Sequence, residues 1–392
     1  MQTQAGNPGA FAQFDLGRVD SPAFVVDAAK LRSNCQTLAD IRDAAGCKVF
    51  AALKAFSMWS AAPIIGEYLD GVSTSGLWEA RLASEFYDGE IATYSAAFKP
   101  EDLDEICRLS DHVIFNSPNQ MKRARLILDH ATTTGGDVSV GLRLNPLHAT
   151  GEVPKYDPSA PGSRLGFPID QLTEEHMEGV EGIHFHNLCE QTFEPLRQTW
   201  DKVFDAIEPW FGQLKWINMG GGHHITRADY ERDELIELLK DAAEDTGAEI
   251  ILEPGEAVAL DAGILVGTLL DTGFNEVPFG VTDVSATCHM PDVLEAPYRP
   301  AMLGEQNDES KIPIRLGGSS CLASDVIGDY RMPVAAEPGA RFAFLDQAHY
   351  SMVKTNTFNG VQLPGIWLWD SETDNLECIR SFSYNDFRER LS

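Results

Sequence analysis

The sequence predicts an α/β protein: a (β/α)8 barrel joined to a second, mostly β domain. Three observations carry this expectation. Strand-like and helix-like segments alternate eight times between residues 48 and 253, the order that wraps parallel strands in helices. After about residue 260 helical spacing gives way to short apolar runs punctuated by Gly, Pro and Asp. The residues with most chemical character fall at the C-terminal ends of the expected barrel strands, the face on which barrels build their sites.

The expected strands are VFAAL (49–53), DGVS (70–73), IATY (91–94), HVIF (112–115), VSVGLRL (138–144), VEGIHF (180–185), LKWIN (214–218) and EIILE (249–253). Between them, LWEARLASEFY (77–87) and DELIELLKDAAED (233–245) have amphipathic spacing. PNQMKRARLILDH (118–130) opens with Pro118, in the first turn where a missing N–H costs least. Residues 146–166 are rich in Pro, Gly and Ser and long for a βα connection, a common property of functional loops. The later strands are GILVGTLLD, VPFGVTDVSAT, KIPIRLGG, ARFAFLD and GIWLWD, and the early PAFVVD (22–27) is expected to cross over to them. The expected division is a barrel over residues 29–272 and a β domain from 1–28 with 273–392.

Acidic residues number 60 against 30 basic, a formal net charge of −30. That balance argues against a nucleic-acid partner and suits either solubility or attraction of a cationic small molecule. No apolar run is long enough to span a membrane. The first fifteen residues lack a basic segment followed by an apolar one, so no secretory signal is expected. Seven cysteines lie without CxxC spacing, as reduced thiols of a cytoplasmic protein do. No metal site is expected.

Lys54 ends the first strand in FAALKAFSMW (50–59), an ammonium among apolar neighbours. Taken alone, it reads as a lysine snorkelling to solvent. It has company. Arg143 lies near the end of the fifth strand, His186 ends the sixth in GIHFHN, Gly220, Gly221 and Gly222 follow the seventh, and Glu253 ends the eighth and opens EPGE (253–256). Singly these read as an ion-paired arginine, a core histidine, a tight turn and a loop cap. Their convergence on one barrel face is the informative part. A glycine turn exposes N–H groups to anions, and the TRAD sequence at 226–229 reads as a cap of the helix that follows. A phosphate beside a lysine, a histidine and a glutamate fits a phosphorylated aldehyde. Pyridoxal 5'-phosphate, which lysine binds covalently, is such a group.

On these motifs, from SPAFVVD (21–27) to FNG (358–360), the chain resembles the fold type III pyridoxal-phosphate decarboxylases, with their alanine-racemase-like barrel. The resemblance implies that Lys54 carries the cofactor, His186 stacks on its ring, Gly220 to Gly222 cradle the phosphate and Glu253 pairs with the ring nitrogen. It further implies that Tyr350, in DQAHYSM, touches the phosphate, and that Arg143 belongs to the cofactor site. Cys321, in GGSSCLASD (317–325), matches a cysteine that the neighbouring subunit of a homodimer contributes to help protonate the product carbon.

Within that group the sequence departs from the ornithine and diaminopimelate enzymes. Their usual EPGR is EPGE here, with Glu256 in place of arginine, and Leu322 follows the mobile cysteine where an acid is usual. Asp292, in CHMPDVLEAPYRP (288–300), is available in exchange. Glu256, Asp292 and Asp325 together would receive a polycation. ALKAFSMW and EPGEA most resemble carboxynorspermidine/carboxyspermidine decarboxylase. The expected activity is therefore loss of CO2 from a carboxylated polyamine. The alternatives are decarboxylation of ornithine, arginine or diaminopimelate, an amino-acid racemase, and a non-catalytic relative.

Overall fold

Eight parallel strands pair in chain order and close on themselves: Lys48–Ala52, Gly71–Thr74, Glu90–Tyr94, His112–Phe115, Ser139–Asn145, Gly182–His184, Trp216–Asn218 and Glu249–Leu252. The last pairs with the first, Leu252 opposite Val49, and the fourth pairs with the fifth, Phe115 opposite Leu142. In this computed structural model, residues 3–4, 6–133, 138–151 and 153–392 are described; residue 152, inside the expected long loop, lies outside them. Helices Leu77–Phe86, Pro118–Thr133 and Arg232–Thr246 stand where amphipathic spacing places them.

The barrel interior is filled rather than open. Phe50, Ala92, Ile114, Trp216 and Ile251 form its core, with Tyr94 against them. The Trp216 indole explains two glycines. A Cβ on Gly182 would come within 2.0 Å of the ring, and one on Gly141 within 2.3 Å. Only glycine at these positions of the fifth and sixth strands leaves room for the indole, whose Nε1 donates to Ser139 Oγ at 2.8 Å. At the strands' N-terminal ends Lys48 bonds Glu90, which also lies 2.8 Å from His112 Nε2, and Lys48 reaches Glu249 at 2.9 Å.

The long loop after the fifth strand has order of its own. Asp157 accepts from the backbone N–H groups of Gly151 at 2.6 Å and Ser159 at 2.7 Å. Phe167–Pro168 then pairs alongside Leu144 and Asn145, returning the chain to the barrel.

The chain divides into two compact units, residues 32–258 and residues 1–31 with 259–392. The second join falls before the 13-residue strand Gly263–Asn275 rather than near its end. Hydrogen bonding explains this: the strand pairs antiparallel with Ala23–Asp27, Val277–Thr282 and Arg341–Leu345, all of the β unit. Ala23–Asp27 also pairs with Gly365–Asp370, and Val277–Thr282 with Ile314–Gly318, both in parallel, so the sheet is mixed. Its core includes Phe24, Leu265, Val284, Leu316, Ile327, Tyr330, Phe342 and Phe344. No described helix is long and apolar enough to cross a membrane.

Candidate active site

The barrel brings Lys54, Arg143, His186, the glycine turn and Glu253 together at the C-terminal ends of its strands. Lys54 follows the first strand by two residues, and its Nζ lies 2.9 Å from His186 Nε2. His186 Nδ1 lies 3.0 Å from the Gly221 carbonyl oxygen and 3.2 Å from the Gly221 N–H. Two arrangements are open to a neutral His186, one on each tautomer. In one, the Lys54 ammonium donates to Nε2 and Nδ1–H donates to the carbonyl. In the other, Gly221 N–H donates to Nδ1 and Nε2–H donates to a neutral amine. The first keeps Lys54 charged and leaves the Gly221 N–H facing Nδ1–H; the second has one proton fewer, a neutral amine, and uses that N–H.

Electrostatics shifts Lys54 towards the neutral amine. Lys54 is exposed to solvent in the single chain, yet enough protein surrounds its amine to desolvate it in part. Desolvation lowers its pKa, and the Arg143 guanidinium lowers it further, against the pull of Glu253. Desolvation, with the charges of Lys54 and Arg143, holds His186 well below the ordinary imidazole value.

Arg143 is 4% exposed. Its guanidinium lies 4.5 Å from the centroid of the Tyr94 ring, and Nη2 donates to the His186 carbonyl at 2.6 Å. Its Nε is buried with no partner, an unmet donor beside the lysine.

Glu253 is held from two sides. Asn218 Nδ2 donates to Oε1 at 2.7 Å, and His184 Nε2 lies 3.2 Å from Oε2. Burial alone would raise its pKa; His184, Asn218 and Lys54 outweigh burial and lower it. The carboxylate is thus ionised at neutral pH, with lone pairs left for a further donor.

The glycine turn fits its place for steric reasons. Gly220 and Gly222 have φ of +69° and +88°, the left-handed region open to glycine. A Cβ on Gly221 would lie 2.1 Å from the Glu253 carbonyl oxygen. The N–H groups of Gly220 and Gly221 face Asn218 Oδ1 at 2.9 Å and His186 Nδ1. The N–H of Gly222 donates to no described residue. The expected cap differs: Thr226 Oγ1 donates to the Ala257 carbonyl at 2.7 Å, and the helix begins later, at Arg232. The intervening residues form turns, so Thr226 ties the glycine turn to the EPGE segment instead.

Glu256, at the start of a short helix, lies 3.5 Å from His224 Nδ1. Four polar residues of this cluster escaped the sequence reading: Tyr94, His184, Asn218 and His224. His184 had a signal, since residues two apart on a strand share a face and His186 was already marked. Tyr94 and Asn218 also end barrel strands.

Cys321, Tyr350, Asp292 and Asp325 belong to the β unit. Cys321 is exposed and unbridged. Tyr350 has φ of +51°, and its ring lies 5.9 Å from Lys354 Nζ. Asp292 pairs with Lys354 at 2.5 Å. Asp325 is buried against serines and a backbone N–H, which leaves it badly placed to meet a mobile cation.

No family model matches the chain. Relatives and solved structures match over nearly its full length. A carboxynorspermidine/carboxyspermidine decarboxylase of Campylobacter jejuni is 38% identical over 95% of this chain and 99% of its own. A carboxyaminopropylagmatine decarboxylase of Synechocystis is 37% identical over 96% of each. The crystal structure of a C. jejuni carboxynorspermidine decarboxylase complexed with norspermidine superposes with a TM-score of 0.87 at 38% identity, over 95% of this chain and all of that one. A diaminopimelate decarboxylase of Helicobacter pylori shares the fold at 18% identity, with a TM-score of 0.82 over 95% and 97%. Parallel barrel and mixed β unit thus define the class, the alanine-racemase-like fold of the fold type III decarboxylases. Within it, the chain belongs to the carboxynorspermidine/carboxyspermidine decarboxylase family.

Proposed function

We propose that this enzyme is a carboxy-lyase that removes CO2 from the α-amino-acid end of carboxynorspermidine or carboxyspermidine, yielding norspermidine or spermidine. The 38% identity, over nearly the full length, to a relative named for these substrates carries the reading. The Synechocystis relative favours a second one, in which a guanidinium ends the substrate tail. CO2 release from carboxynorspermidine, carboxyspermidine, carboxyaminopropylagmatine, ornithine, arginine and diaminopimelate decides among them. Turnover of ornithine or diaminopimelate above the carboxylated polyamines would reject the proposal.

The cofactor we infer is pyridoxal 5'-phosphate, and the barrel residues fit it. Lys54 offers an amine whose pKa desolvation lowers, which increases the share of the neutral form that reacts with an aldehyde. The unmet Arg143 Nε and the Gly222 N–H are donors suited to an anionic group. When bound, the cofactor supplies a sink for the electron pair left as CO2 departs. Lys54 would hold it covalently, His186 would lie against its ring, and Tyr350 with the glycine turn would hold its phosphate. Glu253, kept ionised by His184 and Asn218, would hold a proton at the ring nitrogen. Cys321, or water beside it, would return a proton to the substrate Cα.

Glu256 would receive the cationic tail, with Asp292 as a second acid once Lys354 yields. A homodimer with shared sites is part of the proposal, Cys321 coming from the neighbouring subunit. Mixing inactive Lys54→Ala with inactive Cys321→Ala should restore activity, since a mixed dimer has one intact site. A dead mixture despite demonstrated subunit exchange rejects sharing. The unbridged cysteines fit a reducing compartment, the cytoplasm.

A further inference from the structure

We propose that Asp325 is a positioning residue for the Cys321 loop rather than a ligand of the substrate. The inference rests on the assignment of Cys321 as the group that delivers a proton to Cα. Cys321, Leu322, Ala323 and Ser324 are exposed, whereas Asp325, which closes the loop, is 3% exposed. Its carboxylate reaches back under the loop. Oδ2 accepts from Ser320 Oγ at 2.6 Å and from Ser285 Oγ at 2.8 Å, and Oδ1 accepts from the Thr287 N–H at 3.2 Å. The backbone adds two ties: Asp325 N–H to the Leu322 carbonyl and Gly318 N–H to the Asp325 carbonyl, both 3.0 Å.

Both residues bounding the exposed tip are therefore anchored to one buried carboxylate, Ser320 just before Cys321 and Asp325 just after Ser324. The anchor is itself fixed. Ser285 Oγ accepts from Cys288 N–H at 3.1 Å, and Ser285 N–H donates to His289 Nδ1 at 3.1 Å. Gly318 makes room for it, since a Cβ there would lie 2.3 Å from Asp325 Oδ2. A third hold acts on Cys321, whose N–H donates to Asn359 Oδ1 at 2.8 Å. Charge-assisted bonds in a dry setting are the stronger kind. They fix where a thiol on an otherwise exposed turn can point. A substrate ammonium would have to displace at least one serine from a buried oxygen to bind here.

Asp325→Asn keeps size and shape but weakens acceptance from two hydroxyls. In the holoenzyme we expect kcat to fall about tenfold or more while KM stays within about twofold. The alkylation rate of Cys321 by iodoacetamide should change, while those of exposed Cys189 and Cys378 should not. Ser320→Ala, which removes one tie without disturbing the anchor, should shift kcat and Cys321 reactivity in the same direction by less. A raised KM with kcat retained would make Asp325 a substrate ligand and overturn the proposal. So would normal kcat and normal Cys321 reactivity in both variants. Cys321→Ala separates the premise: if that variant keeps its kcat, the assignment of Cys321 has failed and the positioning role with it. If Asp325→Asn does not fold, Ser320→Ala decides alone.

Discussion

His184 Nε2 and Glu253 Oε2 face each other at 3.2 Å across the barrel floor, joining the ends of the sixth and eighth strands. His184 is buried and desolvation lowers its pKa, so it meets the carboxylate as a neutral N–H donor. Asn218 donates to the other oxygen. Both partners orient Glu253, and neither neutralises it.

Glu253→Gln should therefore leave the fold intact and lower the rate of the chemical step by roughly 100-fold or more, as loss of an aimed charge does. A neutral amide cannot hold a ring nitrogen protonated. His184→Phe, which removes one oriented donor and keeps the carboxylate, should cost less. Single-turnover CO2 release checks both, and an unchanged chemical step in Glu253→Gln would sink the role.

Lys54→Ala should abolish turnover, because no amine remains to bind the cofactor. Residual near-normal activity would overturn that assignment. The depressed Lys54 pKa gives a second readout. Its causes are desolvation first and then the Arg143 charge. In apoenzyme, Lys54 should react with an amine reagent at a pH where surface lysines stay protonated and inert. Arg143→Gln removes a positive neighbour, so the Lys54 pKa should rise and its reactivity at that pH should fall. Unchanged reactivity would mean the guanidinium does not act on the amine.

Much of this was legible in the sequence because it depends on periodicity. Helix and strand alternation gave eight strands in order, and their C-terminal ends marked Lys54, His186 and Glu253. What was illegible depends on three-dimensional pairing. Thr226 has the spacing of a cap, yet its hydroxyl meets Ala257, far along the chain. Asp325 and Asp292 read as free acids, and only the fold shows one buried under serines and the other paired with Lys354. The glycines Gly141 and Gly182 carry no local signal for Trp216, because the contact spans three strands.

Acid stability should depend on Glu90, at the opposite end of the barrel from Lys54. Its bond to His112, then its bond and charge attraction to Lys48, outweigh burial and lower its pKa from 4.5 to about 2. A carboxylate depressed on folding stabilises fully above its unfolded value and loses that contribution as pH falls through the folded one. The Tm difference between wild type and Glu90→Gln should thus be greatest near neutrality. It should shrink below pH 4.5 and level off near pH 2. A gap that does not narrow across that window would show that Glu90 acts through packing alone.

The substrate tail provides the last test. Glu256 closes the EPGE segment, and His224 Nδ1 on its own unit lies 3.5 Å away. Asp292 is already matched by Lys354 at 2.5 Å, with Glu295 a further 3.8 Å contact of the same ammonium. The two acids should therefore differ. A carboxylate–ammonium hydrogen bond contributes about 1.5–3 kcal/mol, so Glu256→Gln should raise KM for a carboxylated polyamine by roughly tenfold or more. Asp292→Asn should raise it by less, because that carboxylate already spends its hydrogen bond on Lys354. Lys354→Ala should then lower KM by releasing Asp292. Cofactor content should be unchanged in all three, and the salt dependence of kcat/KM should flatten in Glu256→Gln as cation attraction weakens. Cofactor loss with a normal KM in Glu256→Gln would move that residue to the phosphate site and remove the main residue-level support for a polycationic substrate.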